Sequence, residues 1–319
     1  MQSENILIDR LLAFDRKSIS RCISLAENDD TKVSSLIKNI AGNIGKAYRI
    51  GITGPPGAGK STITNQMTKL LRTQNYKVGI IAVDPTSPFT GGALLGDRVR
   101  MSDIGNDEGV FIRSMATRGS LGGLSKKAVD AADVLDAAGF DFIIMETVGV
   151  GQSELDIAQT TDTTIVVLVP ESGDAVQAMK AGLMEIADFF VLNKSDRPGA
   201  EQAVTALKTI LMMREHSENS WMPNIIKSIA SEGKGIQDIW DEINRHKSFM
   251  IQSGEFLIKR QKQAKRRIKE IVEDKLKRKL WNSSIEKTLD ESLENVVLGN
   301  LSPYHIADTI IEKFKNHIH

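Results

Sequence analysis

Cysteine is almost absent from this chain: one residue, Cys22, in 319. No intramolecular disulfide can form, and no Cys-x-x-Cys metal site exists. The five histidines (His216, His246, His305, His317 and His319) are scattered rather than clustered, which argues against zinc binding or metal storage. Excess charge of one sign is missing as well. The 41 Lys and Arg balance 41 Asp and Glu, so a globally basic nucleic-acid binder is disfavoured, although a zero total can hide a local patch. No apolar run approaches the ~20 residues that span a bilayer. The N-terminal stretch MQSENILIDRLLAFDRK carries acids and lacks the apolar core and cleavage site of a signal peptide. These absences lead to the expectation of a cytoplasmic, soluble protein with no membrane segment.

What is present is ordinary for a globular chain: 41% hydrophobic and 26% charged residues, a balance that excludes disorder of the whole. The length suits two average domains, or one large domain with an appendage. A chain of this size buries about 75% of the surface its unfolded form exposes and needs no metal or disulfide staple.

Three textures follow one another. Leu11, Leu12, Ile19, Cys22, Ile23 and Leu25, then Val33, Leu36, Ile37 and Ile40, recur at helical spacing. Short apolar runs bounded by turn residues come next: Tyr48–Thr53, Val78–Asp84, Val110–Arg113, Phe142–Thr147, Thr164–Val169, Phe189–Asn193 and Asn224–Ile229. Helical segments such as Lys60–Thr73, Lys126–Ala138 and Ala200–Met213 lie between most of them. Strands alternating with helices predict an α/β fold, a mainly parallel sheet covered by helices on both faces. Ligands then sit beyond the carboxyl ends of the strands. From about Glu255 the pattern is helical again, with Ala264, Ile268, Ile271, Val272, Leu276 and Leu280 forming one stripe. The expected organisation is a helical N-terminal extension (1–45), an α/β domain (46–248) and a helical C-terminal extension (249–319).

Gly54-Pro-Pro-Gly57-Ala58-Gly59-Lys60-Ser61-Thr62 fits the phosphate-loop pattern Gly-x4-Gly-Lys-[Ser/Thr]. It follows a strand and opens a helix, as the chemistry requires. Glycines let the backbone wrap close to phosphates so that successive N–H groups form an anion nest, and the helix N-terminus adds partial positive charge. Lys60 is placed to reach the β- and γ-phosphates, and the Ser61 hydroxyl to complete a Mg²⁺ shell. At the end of a later strand stands Asn193-Lys194-Ser195-Asp196. A carboxylate at Asp196 can accept two hydrogen bonds from the N1–H and N2 amino group of guanine, a pair adenine lacks. A site built to bond such a group can reject the analogue without it by ~10⁴-fold or more. Asn193 can meet the opposite edge of the base, and the Lys194 stem can lie over the ring. GTP is therefore favoured over ATP. A backbone N–H near Ala230, after the strand Asn224–Ile229, can meet guanine O6; an ordinary strand-to-helix turn explains that segment equally well.

Carboxylates at strand ends suit a magnesium ion, which wants oxygen ligands and retains waters. Asp84 ends one strand, Asp97 follows in the next loop, and Glu146 ends another strand ahead of Gly149 and Gly151. Capping, or an ion pair with Arg98 or Arg100, remains open for Asp84 and Asp97. The Gly149 N–H can approach a γ-phosphate. Gln152 is a candidate to orient the attacking water, and Lys180 to neutralise transition-state charge; a solvated surface position accounts for either as well.

The run Val83-Asp-Pro-Thr-Ser-Pro-Phe-Thr-Gly-Gly-Ala-Leu-Leu-Gly-Asp-Arg-Val-Arg-Met101 resembles the MeaB/ArgK family of GTPases. So do Arg118-Gly-Ser-Leu-Gly-Gly-Leu124, Glu146-Thr-Val-Gly-Val-Gly-Gln-Ser-Glu154, Gly233-Lys-Gly-Ile236, Leu11–Glu27 and Ser220-Trp-Met-Pro223, so the likeness spans nearly the whole chain. It implies a phosphate-loop GTPase fold and a chaperone of adenosylcobalamin-dependent acyl-CoA mutases, chiefly methylmalonyl-CoA mutase. Such a chaperone gates cofactor loading and protects or reactivates the mutase. The resemblance also implies a homodimer with a C-terminal helical arm, and magnesium carboxylates at Asp84, Asp97 and Glu146. The sequence departs from the family's usual Thr-Ser-Ala at Ser228-Ile229-Ala230.

Two other functions compete. A metallochaperone-type GTPase for nickel-enzyme maturation would usually carry a His-rich or Cys-containing site, which this chain lacks. A nucleic-acid binder could use the segment Lys259–Lys279, whose eleven basic and three acidic residues give a net of +8. Basic residues opposite an apolar stripe more often form the solvated face of a helix, and few aromatic residues are there to stack on bases.

Overall fold

The computed structural model describes residues 2–28, 30–85, 102–117, 126–147, 156–170, 182–213 and 220–318. Three helices open the chain: α1 (Gln2–Leu12), α2 (Arg16–Asn28) and α3 (Asp30–Ile40). Then β1 (Tyr48–Thr53), α4 (Lys60–Thr73), β2 (Val78–Pro85), α5 (Ser102–Gly105), β3 (Val110–Thr117), α6 (Lys126–Ala137) and β4 (Phe142–Thr147) follow. Next come β5 (Thr163–Leu168), α7 (Leu183–Ile186), β6 (Phe189–Leu192), α8 (Ala200–Met212), β7 (Ile225–Lys227) and α9 (Ile236–Gln252). The seven strands form one sheet in the order β3-β2-β4-β1-β5-β6-β7, with every neighbouring pair parallel.

Alternation along the strands sorts the core into two faces, because successive side chains in a strand point to opposite sides. Ile81, Val83, Ile143 and Met145 pack with Leu11, Ile19, Cys22, Ile23, Leu36 and Ile40 of the N-terminal helices and with α6. Ile80, Ile144, Ile50 and Ile52 face the other way, onto Ile63, Met67 and Leu71 of α4 and Ile239, Trp240 and Ile243 of α9. The spacing of the three α4 residues, four apart, is what gives that helix one apolar face. A third cluster joins Phe190 and Leu192 to α8 through Val204, Leu207 and Leu211. Burial pushes the lone Cys22 thiol up to about 11, in keeping with a packing role rather than a reactive one.

Several boundaries differ from the sequence reading for local reasons. Strand β3 runs to Thr117 rather than Arg113, because its polar end stays paired with Ala82–Pro85 of β2. β7 is shorter than its apolar run: Asn224 turns its side chain back to accept from the Ile225 N–H at 2.9 Å, and Ile229 leaves the sheet to bridge Lys234. Leu12, which shares the helical periodicity, is 41% exposed.

The loop into β1 is held by acids. Asp136 of α6 accepts from the backbone N–H groups of Gly45, Lys46 and Ala47 at 2.8, 3.1 and 2.9 Å. The Arg49 guanidinium lies 2.6 Å from Asp133 and 3.5 Å from Asp136, and its backbone N–H donates to Asp162 at 2.9 Å. Burial works against the Arg49 charge, but Asp133, then Asp136 and Asp162, outweigh it and hold the group above its ordinary pKa.

By packing, the chain divides into residues 1–257 and 258–319; the N-terminal helices thus belong with the sheet. In the second unit, α11 (Ser283–Val297) and α12 (Pro303–Ile318) pack through Ile285, Ile306 and Ile310. Asn282 caps α11 by accepting from the N–H groups of Ser284 and Ile285 at 3.0 and 3.1 Å. Helix α10 (Glu255–Leu280) has no buried residue, and its stripe residues Ile268, Val272 and Leu276 are exposed. Leu280, at the end of the expected stripe, packs against the Ile285, Ile306 and Ile310 cluster.

Candidate active site

At the carboxyl end of β1, next to Thr53, the chain turns through Gly54–Gly59 into α4. Two of these glycines cannot carry a side chain. Gly54 has φ +136°, and a Cβ would lie 2.1 Å from the Val167 carbonyl oxygen on β5. Gly59 has φ +91°, and a Cβ would lie 2.2 Å from Asn193 Nδ2. The loop therefore presses against β5 on one side and the end of β6 on the other. Gly57, also at positive φ, marks the tip, and Ala58 is fully buried beside it. Lys60 is 6% exposed; its ammonium donates to the carbonyl oxygens of Gly54 and Pro55 at 2.7 and 2.9 Å. The charge is thus held over the loop. Thr62 faces solvent.

Behind the loop lies Glu146, 2% exposed, at the end of β4. Ser61 Oγ donates to its Oε1 at 2.5 Å and Thr64 Oγ1 to its Oε2 at 2.8 Å. A buried carboxylate beside a serine hydroxyl at a helix N-terminus offers the hard oxygen donors that suit a small divalent cation. Thr147, the next residue, donates to Thr53 at 2.9 Å, tying the end of β4 to the start of the phosphate loop. Thr64, Thr53 and Thr147 were not singled out from the sequence. Thr64 had a legible signal, a hydroxyl three residues after Ser61 on the same helix face.

Asp84 is placed only through its backbone, which pairs with Ala116 at the end of β2. That strand lies beside β4, with Ala82 opposite Glu146. The Asp84 side chain, together with Asp97, Gly149, Gln152 and Lys180, lies outside the described residues. Among the described residues no three His, Cys, Asp or Glu gather around one point.

The second loop starts at Asn193, 3% exposed. Its Nδ2 donates to the Ala58 carbonyl at 2.8 Å, and its Oδ1 accepts from Ser228 Oγ at 3.1 Å and from the Ala230 N–H at 3.0 Å. The Asn193 oxygen and the Ala230 N–H, both candidates to meet the base, bond each other here. The physical reason is burial, since an amide this deep must satisfy its polar atoms within the protein. Asn193 thereby links the phosphate loop, its own strand end and the Ser228–Ala230 turn. Lys194 sits in the left-handed region at φ 56°, and Ser195 donates twice to the Ser228 carbonyl, through N and Oγ, each at 3.1 Å. This tight turn leaves Asp196 exposed. Gly235 is required to bring α9 close: its Cβ would lie 2.4 Å from the Lys227 carbonyl oxygen. Nearby, a hydrogen bond from Lys234 to Glu232 holds that ammonium above its ordinary pKa, with Asp196 adding a smaller contribution.

A parallel sheet with a glycine-wrapped anion loop at its carboxyl edge defines a phosphate-loop nucleotide hydrolase. A family profile described as methylmalonyl Co-A mutase-associated GTPase MeaB matches residues 19–284. The chain is 47% identical to the putative GTPase PH0274 of Pyrococcus horikoshii, covering 98% of this chain and 99% of that one. It is 35% identical to GTPase ArgK of Escherichia coli (93% and 92% covered). It is 34% identical to the mouse methylmalonic aciduria type A homolog, mitochondrial (98% and 81%). A crystal structure described as LAO/AO transport system kinase superposes with a TM-score of 0.74 at 28% identity, covering 99% and 98%. This chain belongs to the MeaB family. It is a GTPase that binds GTP and GDP, of a family associated with methylmalonyl-CoA mutase.

Proposed function

We propose that the protein is a Mg²⁺-dependent GTPase that acts as a chaperone of an adenosylcobalamin-dependent acyl-CoA mutase, methylmalonyl-CoA mutase first among them. In this reading it gates cofactor loading and protects or reactivates the mutase. The observation that carries the reading is the extent of the family match. Residues 19–284, from α2 through α10, match a profile described as methylmalonyl Co-A mutase-associated GTPase MeaB. No described helix is long and apolar enough to cross a membrane, and we place the protein in the cytoplasm. The exposed apolar stripe of α10 supports a homodimer in which the C-terminal arm supplies contacts.

At the site, the loop N–H groups and Lys60 would hold the phosphates. Ser61 and Glu146, with Asp84 and Asp97, would hold the cation, whose role when bound is to neutralise charge on the β- and γ-phosphate oxygens. The Asn193 linkage would keep the base loop and the phosphate loop at a fixed spacing, and Asp196 would select guanine. The test is GTP turnover with Mg²⁺, alone and with purified methylmalonyl-CoA mutase, using ATP as control. Stimulation by the mutase is expected. GTP turnover that the mutase leaves unchanged would remove this partner while keeping the enzyme.

Replacing Asp196 by Asn turns one acceptor into a donor facing guanine N1–H and N2. The Asp196→Asn protein should lose GTP preference over xanthosine triphosphate by roughly 10³-fold or more, read from competition binding. Unchanged selectivity would take Asp196 out of base recognition.

A further inference from the structure

Thr64 is fully buried within α4. A threonine inside a helix ordinarily turns its hydroxyl back to the carbonyl four residues earlier. Thr68, one turn on, does this: its Oγ1 donates to the Thr64 carbonyl at 2.7 Å. Thr64 instead donates across 82 residues of chain, to Glu146 Oε2 at 2.8 Å. Ser61 and Thr64 lie three apart on one helix face, so the two oxygens of Glu146 are each met by a hydroxyl from α4. A carboxylate accepting on both oxygens has its plane and rotamer fixed, which is how partners behind a metal ligand orient it.

We propose that Thr64 is a positioning residue for Glu146: its hydroxyl holds Oε2 so that Oε1 faces Ser61 and the cation. The proposal rests on the Mg²⁺ reading above. It predicts a specific split. Losing the Thr64 hydroxyl weakens the cation's contribution to nucleotide binding, and leaves alone the contribution of the loop, Lys60 and the base-recognition turn.

The experiment titrates Mg²⁺ against binding of a fluorescent GDP to the full chain, with EDTA as the cation-free reference. In the wild type, Mg²⁺ should tighten GDP binding; no Mg²⁺ dependence there would overturn the metal reading and this proposal with it. In Thr64→Val, nearly the same shape without the hydroxyl, the half-saturating Mg²⁺ should rise about 10-fold or more, with GDP affinity in EDTA unchanged. Thr64→Ser should restore the wild-type value. Thr68→Val removes a buried hydroxyl that does not touch Glu146 and should leave the titration where it was. A wild-type half-saturation in Thr64→Val, an equal loss of affinity with and without Mg²⁺, or an equal shift in Thr68→Val would each overturn the positioning role while leaving the metal reading intact. Should the valine variant fail to fold, Thr64→Ala undergoes the same titration with the same criteria.

Discussion

Lys60→Ala should reduce GTP hydrolysis at saturating nucleotide by roughly 10²–10³-fold, the scale seen when one preorganised group facing developing charge is removed. Phosphoryl transfer asks little covalent chemistry of the protein and much electrostatic stabilisation. Lys60 is a buried cation at the first residue of α4, held over the loop by the Gly54 and Pro55 carbonyls. Lys60→Arg should not rescue, because a planar fork is larger and cannot act as a compact point charge in the same space. Single-turnover hydrolysis read beside thermal melting separates chemistry from folding. Wild-type turnover in a folded alanine variant would remove Lys60 from the mechanism.

Asp136→Ala should be the most destabilising change away from the nucleotide site. The Asp136 side chain is 1% exposed, accepts three backbone N–H groups and adds to the field that keeps Arg49 charged. Arg49 keeps Asp133 at 2.6 Å, so the cost falls chiefly on the backbone, where each buried donor left without a partner costs roughly 1–3 kcal/mol. Here three N–H donors are stranded. A melting temperature lower by on the order of 10 °C follows for a unit of this size, and urea unfolding should show the same loss without a change in GTP selectivity at temperatures where the variant is folded. A loss below about 1 kcal/mol would mean that water reaches the cluster and replaces the carboxylate.

That cluster is a case of what the sequence kept hidden. Nothing in the periodicity of α6 tells that the face bearing Asp133 and Asp136 meets the start of β1. The strands were legible because a sheet covered on both faces demands near-continuous apolar runs, and β1 and β4 fall where their runs predict. β3 and β7 differ at their ends, where pairing with a neighbour or a side-chain turn overrides the local run. The phosphate loop was legible for a different reason: Gly54 and Gly59 are forced by close approach of backbone and side chain, and such constraints leave a fixed spacing in the chain. Asn193 was found by the same route, but its bonds within the protein were not. Four residues of motif show that an amide stands there; only the packing shows its oxygen already accepting from Ser228 and Ala230.

Local spacing and residue chemistry alone carry the α/β alternation, the glycine-rich loop at Gly54–Gly59 and the family. Only the tertiary structure decided the strand order that sets Ala82 beside Glu146, the pair of hydroxyls on that carboxylate, and the linkage through Asn193 from the Ala58 carbonyl to the turn at Ser228 and Ala230. Those depend on groups 35 to 135 residues apart, and no periodicity within a strand or helix encodes what a crossover connection will bring against it.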